Sequence, residues 1–599
     1  MRRISNGICT LIAFSCLGLS LHCTENYTSE EIAMESRKAN DFFERVFDDM
    51  VARHPMFQAE LGIKDDYDKW DDISAENQER EIEITQKELE TLRQTIDYAK
   101  LDEQTRISYD LFVLQAEEKI TNFRFRFHDY PVNQMFGLQS EIPAFLINLH
   151  RITSESDARA YVSRLDKVDE LIEQLIENLK LRAEKGTIPP TFVFAHTIRD
   201  CENIKNGSTL IDDFKNKVAG LVLAQTRKNE LIAEAGAALA ASVKPAYETL
   251  INYLRELEKK SSNDDGVWKL PDGLAYYDTR LKRITTTNLT AEEIHQTGLR
   301  EVARIHDEMR GIMKAVEFEG SLQEFFDFMR TDQRFYYSND QPGRERYLKK
   351  ATELIETMKG RLDELFLTRP KSDLVVKRVE PFRERSAGKA FYQSPAIDGS
   401  RPGTYYANLF DMNSMPTYQM EALAYHEGIP GHHMQIAIAQ ELEGLPKFRK
   451  YGRFTAYVEG WGLYSEYIPK EMGFYPDPYS DFGRLAMELW RACRLVVDTG
   501  IHYKRWTREE GIDYYLTNTP NPKGDCIKMV ERHIVMPGQA TAYKIGMLKI
   551  LELREKAKSE LSDAFDNREF HDVVLTSGPV PLNVLEKMVD GYIAGKVGS

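Results

Sequence analysis

The sequence has few cysteines, and their positions do not suit cross-linking. Three of the six lie within the first 23 of 599 residues, and the others are Cys201, Cys493 and Cys526. No CxxC pair occurs among the latter three. This distribution excludes a disulfide scaffold and a thiolate zinc site. It leaves a single Cys493–Cys526 bridge as an option that nothing in the sequence requires.

The sequence also lacks repeated long apolar runs and an excess of positive charge. The mean hydropathy of −0.48 leaves no room for several membrane spans. The 95 Asp and Glu residues outnumber the 79 Lys and Arg residues, and the formal net charge of −16 would repel a phosphate backbone. Nucleic acid is therefore excluded as a partner. An apolar content of 42% is sufficient for a folded core.

Residues 1–22 are predicted to be an export signal. Two arginines precede a short apolar stretch, and acidic, polar sequence follows. Cys23 stands at the end, as in a bacterial lipoprotein signal, although His22 occupies a position where a small residue is usual. We expect an exported protein, periplasmic or associated with the outer membrane, whose only link to a membrane is a lipid on Cys23. Lipidation of Cys16 and a plain secretory signal are the alternatives.

Helical periodicity fills most of the remaining chain. Apolar residues recur every three or four positions from Leu165 to Leu179, on one face of a helix that opens after Ser154 or Ser156. The pair Thr290 and Glu293 forms a capping box that starts another helix. Similar patterns cover Glu30–Val51, Thr105–Phe125, Leu210–Lys260, Arg344–Phe366, Tyr479–Trp506 and Gln539–Lys556. The polar loop at Lys259–Gly266 is only a weak candidate for a domain boundary, because predicted helices continue on both sides. We therefore expect residues 24–599 to form one large, mainly α domain.

One segment is predicted to be a small β-sheet. Leu374–Val379 and Lys389–Tyr392 are rich in β-branched and aromatic residues, and Gly403–Leu409 alternates beside a Pro-Gly turn. The sheet therefore lies between about Asp373 and Leu409.

The residues best suited to chemistry concentrate in HEGIPGHH, residues 426–433. This octapeptide holds three of the 13 histidines. It is similar to the H-E-x-x-H helix of zinc enzymes, in which two histidines one turn apart bind Zn²⁺ and the glutamate is the general base. The pattern predicts His426 as a metal ligand and Glu427 as the base.

The second ligand requires a break in this helix. Pro430, four residues after His426, cannot bind a metal, and a regular helix would carry His433 about 10.5 Å along its axis. That separation is too large for two imidazoles on one zinc ion. Gly428, Pro430 and Gly431 supply the break. We expect a bulge that brings His432 to the metal, with His433 as the alternative.

A third ligand is expected from the next predicted helix, which begins near Phe454 and contains YVEGWGLYSE. Glu459 lies 27 residues after His432, which is enough for a helix end, a loop and a return. The neighbourhood of Glu459 is apolar and aromatic, so a plain solvated face is disfavoured. Glu466, two turns further on, is expected to support the site without binding the metal.

The segments HEGIPGHHMQ, YVEGWGLYSE and PGQATAYKIG resemble the bacterial family catalogued as domain of unknown function 885, from about Asn40 to the end of the chain. More distantly, the sequence resembles helical zinc peptidases of the gluzincin type: angiotensin-converting enzyme, the thimet-oligopeptidase group and oligoendopeptidase F. Dipeptidyl peptidase III offers an analogy for a lengthened His-Glu-His motif. The resemblance implies a two-lobed, helical, zincin-like body with a small β-sheet beside the active-site helix, and a deep channel between the lobes.

The same resemblance implies further site residues. His533 and Tyr543 match the positions of a histidine and a tyrosine that hydrogen-bond the tetrahedral oxyanion in such peptidases. The substrate backbone pairs there with an edge strand before the metal helix, which implies that Gly403–Leu409 is this edge and that Tyr405 and Tyr406 line the cleft. Arg532 is a further candidate partner for a substrate carboxylate.

The expected function is zinc-dependent hydrolysis of peptide bonds in short peptides. Zn²⁺ would be held by His426, His432 and Glu459, with Glu427 as general base for a metal-activated water. A catalytically silent lipoprotein that binds peptide or glycan is one alternative, and a metal-dependent hydrolase of non-peptide substrates is another. A non-haem iron oxygenase uses similar ligands but is disfavoured, because its usual β-barrel frame is absent from a helical chain.

Overall fold

The computed structural model describes residues 27–379, 384, 388–395 and 401–598. The predicted export signal, with Cys16 and Cys23, lies outside the described residues. Within the described part of the chain, helices form two lobes, and the C-terminal lobe also holds a small sheet. This arrangement confirms the mainly α, two-lobed fold expected from the sequence.

The N-terminal lobe, residues 27–258, is entirely helical in its regular structure. Its main core extends from Ala59 to Leu257, a smaller cluster joins α1 to the end of α3, and Leu111 and Phe125 belong to the core of the C-terminal lobe. Its helices are α1 (Ser29–Ala52), α2 (Pro55–Leu61), α3 (Ala75–Thr95), α4 (Glu103–Asn122), α5 (Leu138–Asn148), α6 (Glu155–Asp166), α7 (Val168–Glu184), α8 (Thr191–Asn206), α9 (Thr209–Ala219), α10 (Gln225–Ala238) and α11 (Lys244–Glu258).

The C-terminal lobe, residues 267–598, holds the sheet and the larger apolar core. Its helices are α12 (Gly273–Thr285), α13 (Ala291–Ala315), α14 (Leu322–Thr331), α15 (Gln341–Lys359), α16 (Met420–Glu427), α17 (His432–Glu441), α18 (Lys447–Lys450), α19 (Thr455–Glu471), α20 (Pro478–His502), α21 (Arg508–Asn518), α22 (Lys523–Val535), α23 (Ala542–Leu561), α24 (Asn567–Leu575) and α25 (Leu582–Val597).

Local sequence signals account for several helix starts. The capping box at Thr290 is present, with the Thr290 side chain accepting from the Glu293 backbone and the Glu293 carboxylate accepting in return. Two long periodic runs are divided more finely than expected. The run through Leu165–Leu179 breaks at Lys167, and the run through Leu210–Lys260 becomes α9, α10 and α11. Apolar periodicity continues across these breaks because the consecutive helices pack on the same core.

The sheet lies within the predicted segment, but the strand expected at its edge is its central strand. Its strands are β1 (Leu374–Arg378), β2 (Ala390–Gln393) and β3 (Gly403–Ala407), arranged β1-β3-β2. β3 runs parallel to β1 and antiparallel to β2, and all five of its residues are buried. The prediction that Gly403–Leu409 is an edge strand is therefore wrong, because β3 pairs on both sides.

Helix α20 is the buried axis of the C-terminal lobe. Every residue from Phe482 to His502 is buried. Its charged residues therefore need partners inside the protein. Glu488 has them, since Lys544 Nζ lies 2.6 Å and Arg484 Nη1 3.3 Å from its carboxylate and Arg304 donates to it.

Two further expectations concern cross-links and membranes. Cys493 and Cys526 are buried and unbridged, so the optional disulfide is not formed. Among the described helices, none combines the length and apolarity needed to cross a bilayer.

Candidate metal centre

The helix break expected within HEGIPGHH is present. Helix α16 ends at Glu427 and α17 begins at His432, with a turn that contains a cis Ile429–Pro430 peptide. Gly431 lies so close to α16 that an added Cβ would stand 2.0 Å from the His426 carbonyl oxygen. Only glycine fits there, because no side-chain carbon tolerates such an approach.

Helix α19 holds this turn in place from the other side. The Pro430 carbonyl accepts hydrogen bonds from Trp461 Nε1 at 2.9 Å and from Ser465 Oγ at 3.3 Å. Gly462 brings the α19 backbone against the two histidine rings, since an added Cβ would lie 2.8 Å from His426 Cε1 and 3.0 Å from His432 Cε1. The EGWG sequence therefore positions the helix as well as supplying Glu459.

His426, His432 and Glu459 converge at this contact. Glu459 Oε2 lies 3.7 Å from His426 Nε2 and 3.6 Å from His432 Nε2. The two rings are nearly perpendicular, with centroids 4.7 Å apart. One candidate ligand atom from each residue lies within 4.8 Å of the other two, and both histidines are buried. Residues separated by a turn and a loop in the sequence thus form one three-ligand cluster.

The spacing of the three side chains fits a single metal ion. The Glu459–histidine separations of 3.6 and 3.7 Å exceed hydrogen-bond length. Two ligand atoms about 2.0–2.1 Å from one tetrahedral zinc would lie about 3.4 Å apart. Two imidazole nitrogens and a carboxylate oxygen are also donors that zinc accepts. The residues present therefore fit Zn²⁺.

Glu466 orients the first histidine. Its Oε1 lies 2.7 Å from His426 Nδ1, so that ring directs Nε2 towards Glu459. The same oxygen lies 3.6 Å from Arg491 Nη2. A carboxylate behind a ligating histidine fixes the ring and makes it a stronger donor. The second histidine lacks this support, because His432 Nδ1 is buried without a hydrogen-bond partner among the described residues.

The cluster has the electrostatics of a cation site. Burial disfavours the imidazolium, but Glu459 and Glu466 outweigh it and raise the pKa of His426 to about 10. Burial also raises the pKa of Glu459, but His426 and His432 hold it well below its ordinary value. The buried Glu466 and the half-buried Glu459 thus require positive charge beside them, which a divalent ion would supply.

Glu427 is placed next to the cluster and faces a cavity. It is 8% exposed and lines this cavity together with His426, His432 and Glu459. No hydrogen bond or ion pair joins its carboxylate to another described residue. A carboxylate with free oxygens beside a ligand is suited to accept a proton from a bound water.

His433 points away from the cluster and joins α17 to the sheet. Its Nε2 donates to the Ser372 carbonyl at 3.0 Å, and its Nδ1 accepts from the Tyr392 hydroxyl at 3.0 Å. Burial lowers the pKa of His433 to about 4, so the ring is neutral. Of the two candidates for the second ligand, His432 therefore lies beside Glu459, whereas both ring nitrogens of His433 are hydrogen-bonded to Ser372 and Tyr392.

The cavity has a volume of about 1470 Å³ and lies between the two lobes. The metal cluster and Tyr543 belong to its C-terminal wall. The N-terminal lobe contributes the opposite lining, which comprises Phe57, Ala59, Glu60, Leu61, Gly62, Met135, Asn148, Leu149 and Arg151. Tyr543 is 8% exposed, and its hydroxyl lies 3.5 Å from Arg532 Nη2.

His533 does not reach this cavity. It is fully buried, with Nδ1 3.2 Å from Asp498 Oδ2 and Nε2 2.8 Å from the Tyr515 hydroxyl. Successive helical side chains point about 100° apart, so Arg532 faces the cavity while His533 faces α20. Asp498 also accepts from the Gly538 backbone at 2.9 Å. The expected oxyanion role does not suit this position, and His533 instead supports the turn before Tyr543.

Tyr405 and Tyr406 do not line the cavity either, contrary to expectation. Tyr405 is fully buried, and Tyr406 stacks on Phe391 with ring centroids 4.9 Å apart. Both lie on the central strand, which is covered on both faces. The cavity is lined instead by the edge strand β2, including Tyr392 and Gln393.

Two cavity-lining arginines were missed by the sequence analysis. Arg491 and Arg494 lie one turn apart on α20 and both border the cavity. The available signal is their spacing within the otherwise apolar segment LWRACRLVV. Charged side chains are rarely fully buried unless paired, so two of them on one face of an apolar helix indicate a site.

Comparison with known proteins identifies the family. The family model described as "Bacterial protein of unknown function (DUF885)" matches residues 55–589. The chain belongs to this family. No curated protein matches the DUF885 chain at a significant level.

Solved structures with a similar fold are described as lipoproteins. The "putative lipoprotein" from Colwellia psychrerythraea is 32% identical, with a TM-score of 0.88 over 94% of this chain and 100% of its own. The "putative lipoprotein of unknown function" from Shewanella oneidensis is 17% identical, with a TM-score of 0.71 over 93% of this chain and 99% of its own, which shows the fold alone. An oligoendopeptidase F from Bacillus anthracis, itself named "putative", covers 88% of this chain and 96% of its own, but its 11% identity and TM-score of 0.29 carry no argument.

Proposed function

We propose that this DUF885 protein is a zinc-dependent hydrolase of peptide bonds in short peptides. The observation that carries the proposal is the convergence of His426, His432 and Glu459 beside Glu427 on the wall of a cavity. Two histidines and one carboxylate, with the remaining side open, are the ligand set of catalytic zinc sites. Structural zinc sites are closed by four protein ligands, and no fourth ligand joins the cluster among the described residues.

Each residue of the site has a distinct role in this proposal. His426, His432 and Glu459 would hold the ion, which when bound supplies a Lewis acid that polarises a carbonyl and lowers the pKa of water. Glu427 accepts a proton at its carboxylate and passes it to the leaving amine. Tyr543 presents its hydroxyl to the cavity as a donor for negative charge on the substrate oxygen.

The edge strand β2 supplies a means of holding an extended peptide. It lines the cavity and lies at the edge of the sheet, as far as the described residues define it. An added peptide strand gains backbone hydrogen bonds from such an edge and places alternate side chains in pockets. The enclosing N-terminal lobe restricts access to short or unfolded peptides.

We also propose export and lipid anchoring of the chain. The basic and apolar start of the sequence and the lipoprotein description of the Colwellia and Shewanella proteins support this. Metabolic labelling with radioactive palmitate should mark the wild-type protein and the Cys16→Ser variant, whereas Cys23→Ser should lose the label. If Cys23→Ser keeps the label and Cys16→Ser loses it, the lipid is on Cys16 instead. An unlabelled wild type would indicate a plain secretory signal.

The proposed chemistry is tested by the Glu427→Gln variant. The amide keeps the shape of the side chain but cannot accept the proton, so turnover of peptides should fall about 10³-fold or more while zinc stays bound. Glu60→Gln is the matched control, because Glu60 is exposed and lines the same cavity from the other lobe. It should stay within about threefold of wild type.

Three results would overturn the proposal. Full activity of Glu427→Gln would contradict the role of the base. A wild-type protein that purifies without zinc, binds peptide or glycan and ignores chelators would be a silent binding protein. Chelator-sensitive hydrolysis of other bonds, with peptides left intact, would show a hydrolase of non-peptide substrates.

A further inference from the structure

The cavity is electropositive although the chain is acidic. Among the described residues that line it, nine are Lys or Arg and four are Asp or Glu. Two of the four acids, Glu427 and Glu459, belong to the metal centre. The whole chain has a formal net charge of −16. A cavity of opposite sign attracts anions and raises their local concentration.

Three of these basic side chains gather around Tyr543. Arg494 Cζ lies 4.5 Å from the Tyr543 ring centroid, and Arg491 Cζ lies 6.0 Å from it. Arg532 approaches the other end of the ring, with Nη2 3.5 Å from the hydroxyl. All four residues border the cavity. They form a group, here called the arginine cluster, that consists of Arg491, Arg494 and Arg532.

The arginine cluster has only one carboxylate within ion-pair distance among the described residues, although two of its arginines are buried. Arg494 is 5% exposed, forms no ion pair with a described carboxylate, and leaves Nε and Nη1 without hydrogen-bond partners. Arg491 is 9% exposed and has one carboxylate near it, Glu466, which already binds His426. Arg532 donates to the neutral Gln539 at 2.6 Å. Burial and the neighbouring guanidinium groups lower the pKa of Arg494 to about 10.

This arrangement matches the needs of a carboxylate ligand. A guanidinium group offers parallel N–H donors that a carboxylate accepts in a bidentate manner, and such bonds are strongest where water is excluded. The cluster is also close to the proposed chemistry, because Arg491 contacts Glu466 at 3.6 Å and Glu466 contacts the ligand His426 at 2.7 Å. A substrate carboxylate bound by the arginine cluster would therefore belong to a substrate residue close to the peptide bond that is cleaved.

We propose that Arg491, Arg494 and Arg532 bind a carboxylate of the peptide substrate and so position it beside the metal centre. This inference rests on the proposed peptide hydrolysis. The carboxylate is supplied either by the C-terminus of the peptide or by an Asp or Glu side chain, and the two sources offer the same chemistry to the arginines. The cluster makes acidic or C-terminally free peptides the preferred substrates.

The test measures peptide binding in zinc-loaded Glu427→Gln protein, so that turnover does not interfere. Three matched peptides are titrated by calorimetry: one with a free C-terminus and an internal Glu, its C-terminal amide, and its Glu→Gln counterpart. The added variant is Arg494→Met, which keeps an unbranched apolar stem and removes the guanidinium charge. Arg453→Met is the control, because Arg453 also lines the cavity but is exposed.

Arg494→Met should raise the Kd of the carboxylate-bearing peptide at least 30-fold, whereas Arg453→Met should change it less than threefold. Arg494→Lys should recover part of the affinity, which separates charge from folding damage. In protein with Arg494 intact, weaker binding of the amide assigns the C-terminal carboxylate, and weaker binding of the Gln peptide assigns the side chain.

Equal affinity for all three peptides, or equal effects of Arg494→Met and Arg453→Met, would overturn the inference. Failure of the proposed function gives a different result. In that case, wild-type protein would leave the peptides intact while the carboxylate-dependent binding and its loss in Arg494→Met persist.

Discussion

Replacement of Gly462 by alanine provides a sharp steric test of the metal centre. The new Cβ would lie 2.8 Å from His426 Cε1, 2.9 Å from His426 Nε2 and 3.0 Å from His432 Cε1. Carbon atoms in ordinary contact stand about 3.5–4.0 Å apart, so both rings must retreat by about 0.5–1 Å. Zinc sites tolerate deviations of about 0.2 Å in ligand distance. We expect at least a 100-fold loss of zinc affinity, equivalent to about 2.7 kcal/mol.

The assay is competition for zinc with a chromogenic chelator of known affinity, on folded protein of verified helicity. Gly311→Ala is the matched control, because Gly311 lies inside α13 and an added Cβ there meets no atom within 4 Å. That control should keep wild-type zinc affinity and gain about 0.5–1 kcal/mol of stability, since alanine favours helix. A Gly462→Ala variant with zinc affinity within threefold of wild type would refute the close packing of α19 on the ligands.

Three further outcomes follow from individual contacts. Glu466→Gln removes the charged acceptor 2.7 Å from His426 Nδ1 and should weaken zinc binding about 10–100-fold by chelator competition; unchanged affinity would contradict the orienting role. Glu488→Gln removes the buried carboxylate that Lys544 and two arginines share, leaves Lys544 with Glu301 at 2.8 Å, and should cost about 1–3 kcal/mol in urea unfolding at pH 7. Burial raises the pKa of Glu488, but Lys544 and two arginines outweigh it and lower the pKa to about 2. This stabilisation is therefore complete above the ordinary value of 4.5 and disappears as the pH falls towards 2. The difference between wild type and variant should narrow at pH 3, and a constant difference would contradict this assignment. Tyr543→Phe should lower kcat about 10²-fold or more with zinc content unchanged, because it removes a donor to developing charge; an unchanged kcat would exclude that role.

Much of the fold could be predicted because its signals are local. The capping box at Thr290 and the break between Glu427 and His432 depend on neighbouring residues in the chain, and both are present. The sequence predicts one helical run over Leu210–Lys260, where the structure has three helices, because one apolar face continues across the breaks. The edge position expected for Gly403–Leu409 is wrong because strand pairing is not a local property. Alternation in Gly403–Leu409 indicates a strand, but pairing with β1 and β2 depends on distant segments.

The candidate site was predictable where one motif constrains it. Pro430 stands where the usual second histidine would be, so a metal shared with a later histidine requires a break in the helix. This required break indicates His432 as the second ligand. The direction of a single helical side chain was not predictable, because a rotation of about 100° separates Arg532 in the cavity from His533 in the core. The arginine cluster depends on the packing of α20, α22 and α23 around Tyr543, which no local pattern contains.

The most direct test of the account is the zinc content of the purified protein, measured by elemental analysis in wild type, His432→Gln and His433→Gln. We expect one zinc ion per chain in wild type and in His433→Gln, because His433 hydrogen-bonds Ser372 and Tyr392 instead of facing Glu459. His432→Gln should lose the metal. Zinc retained by His432→Gln, or a wild-type protein without zinc, would contradict the central claim that His426, His432 and Glu459 form the metal centre.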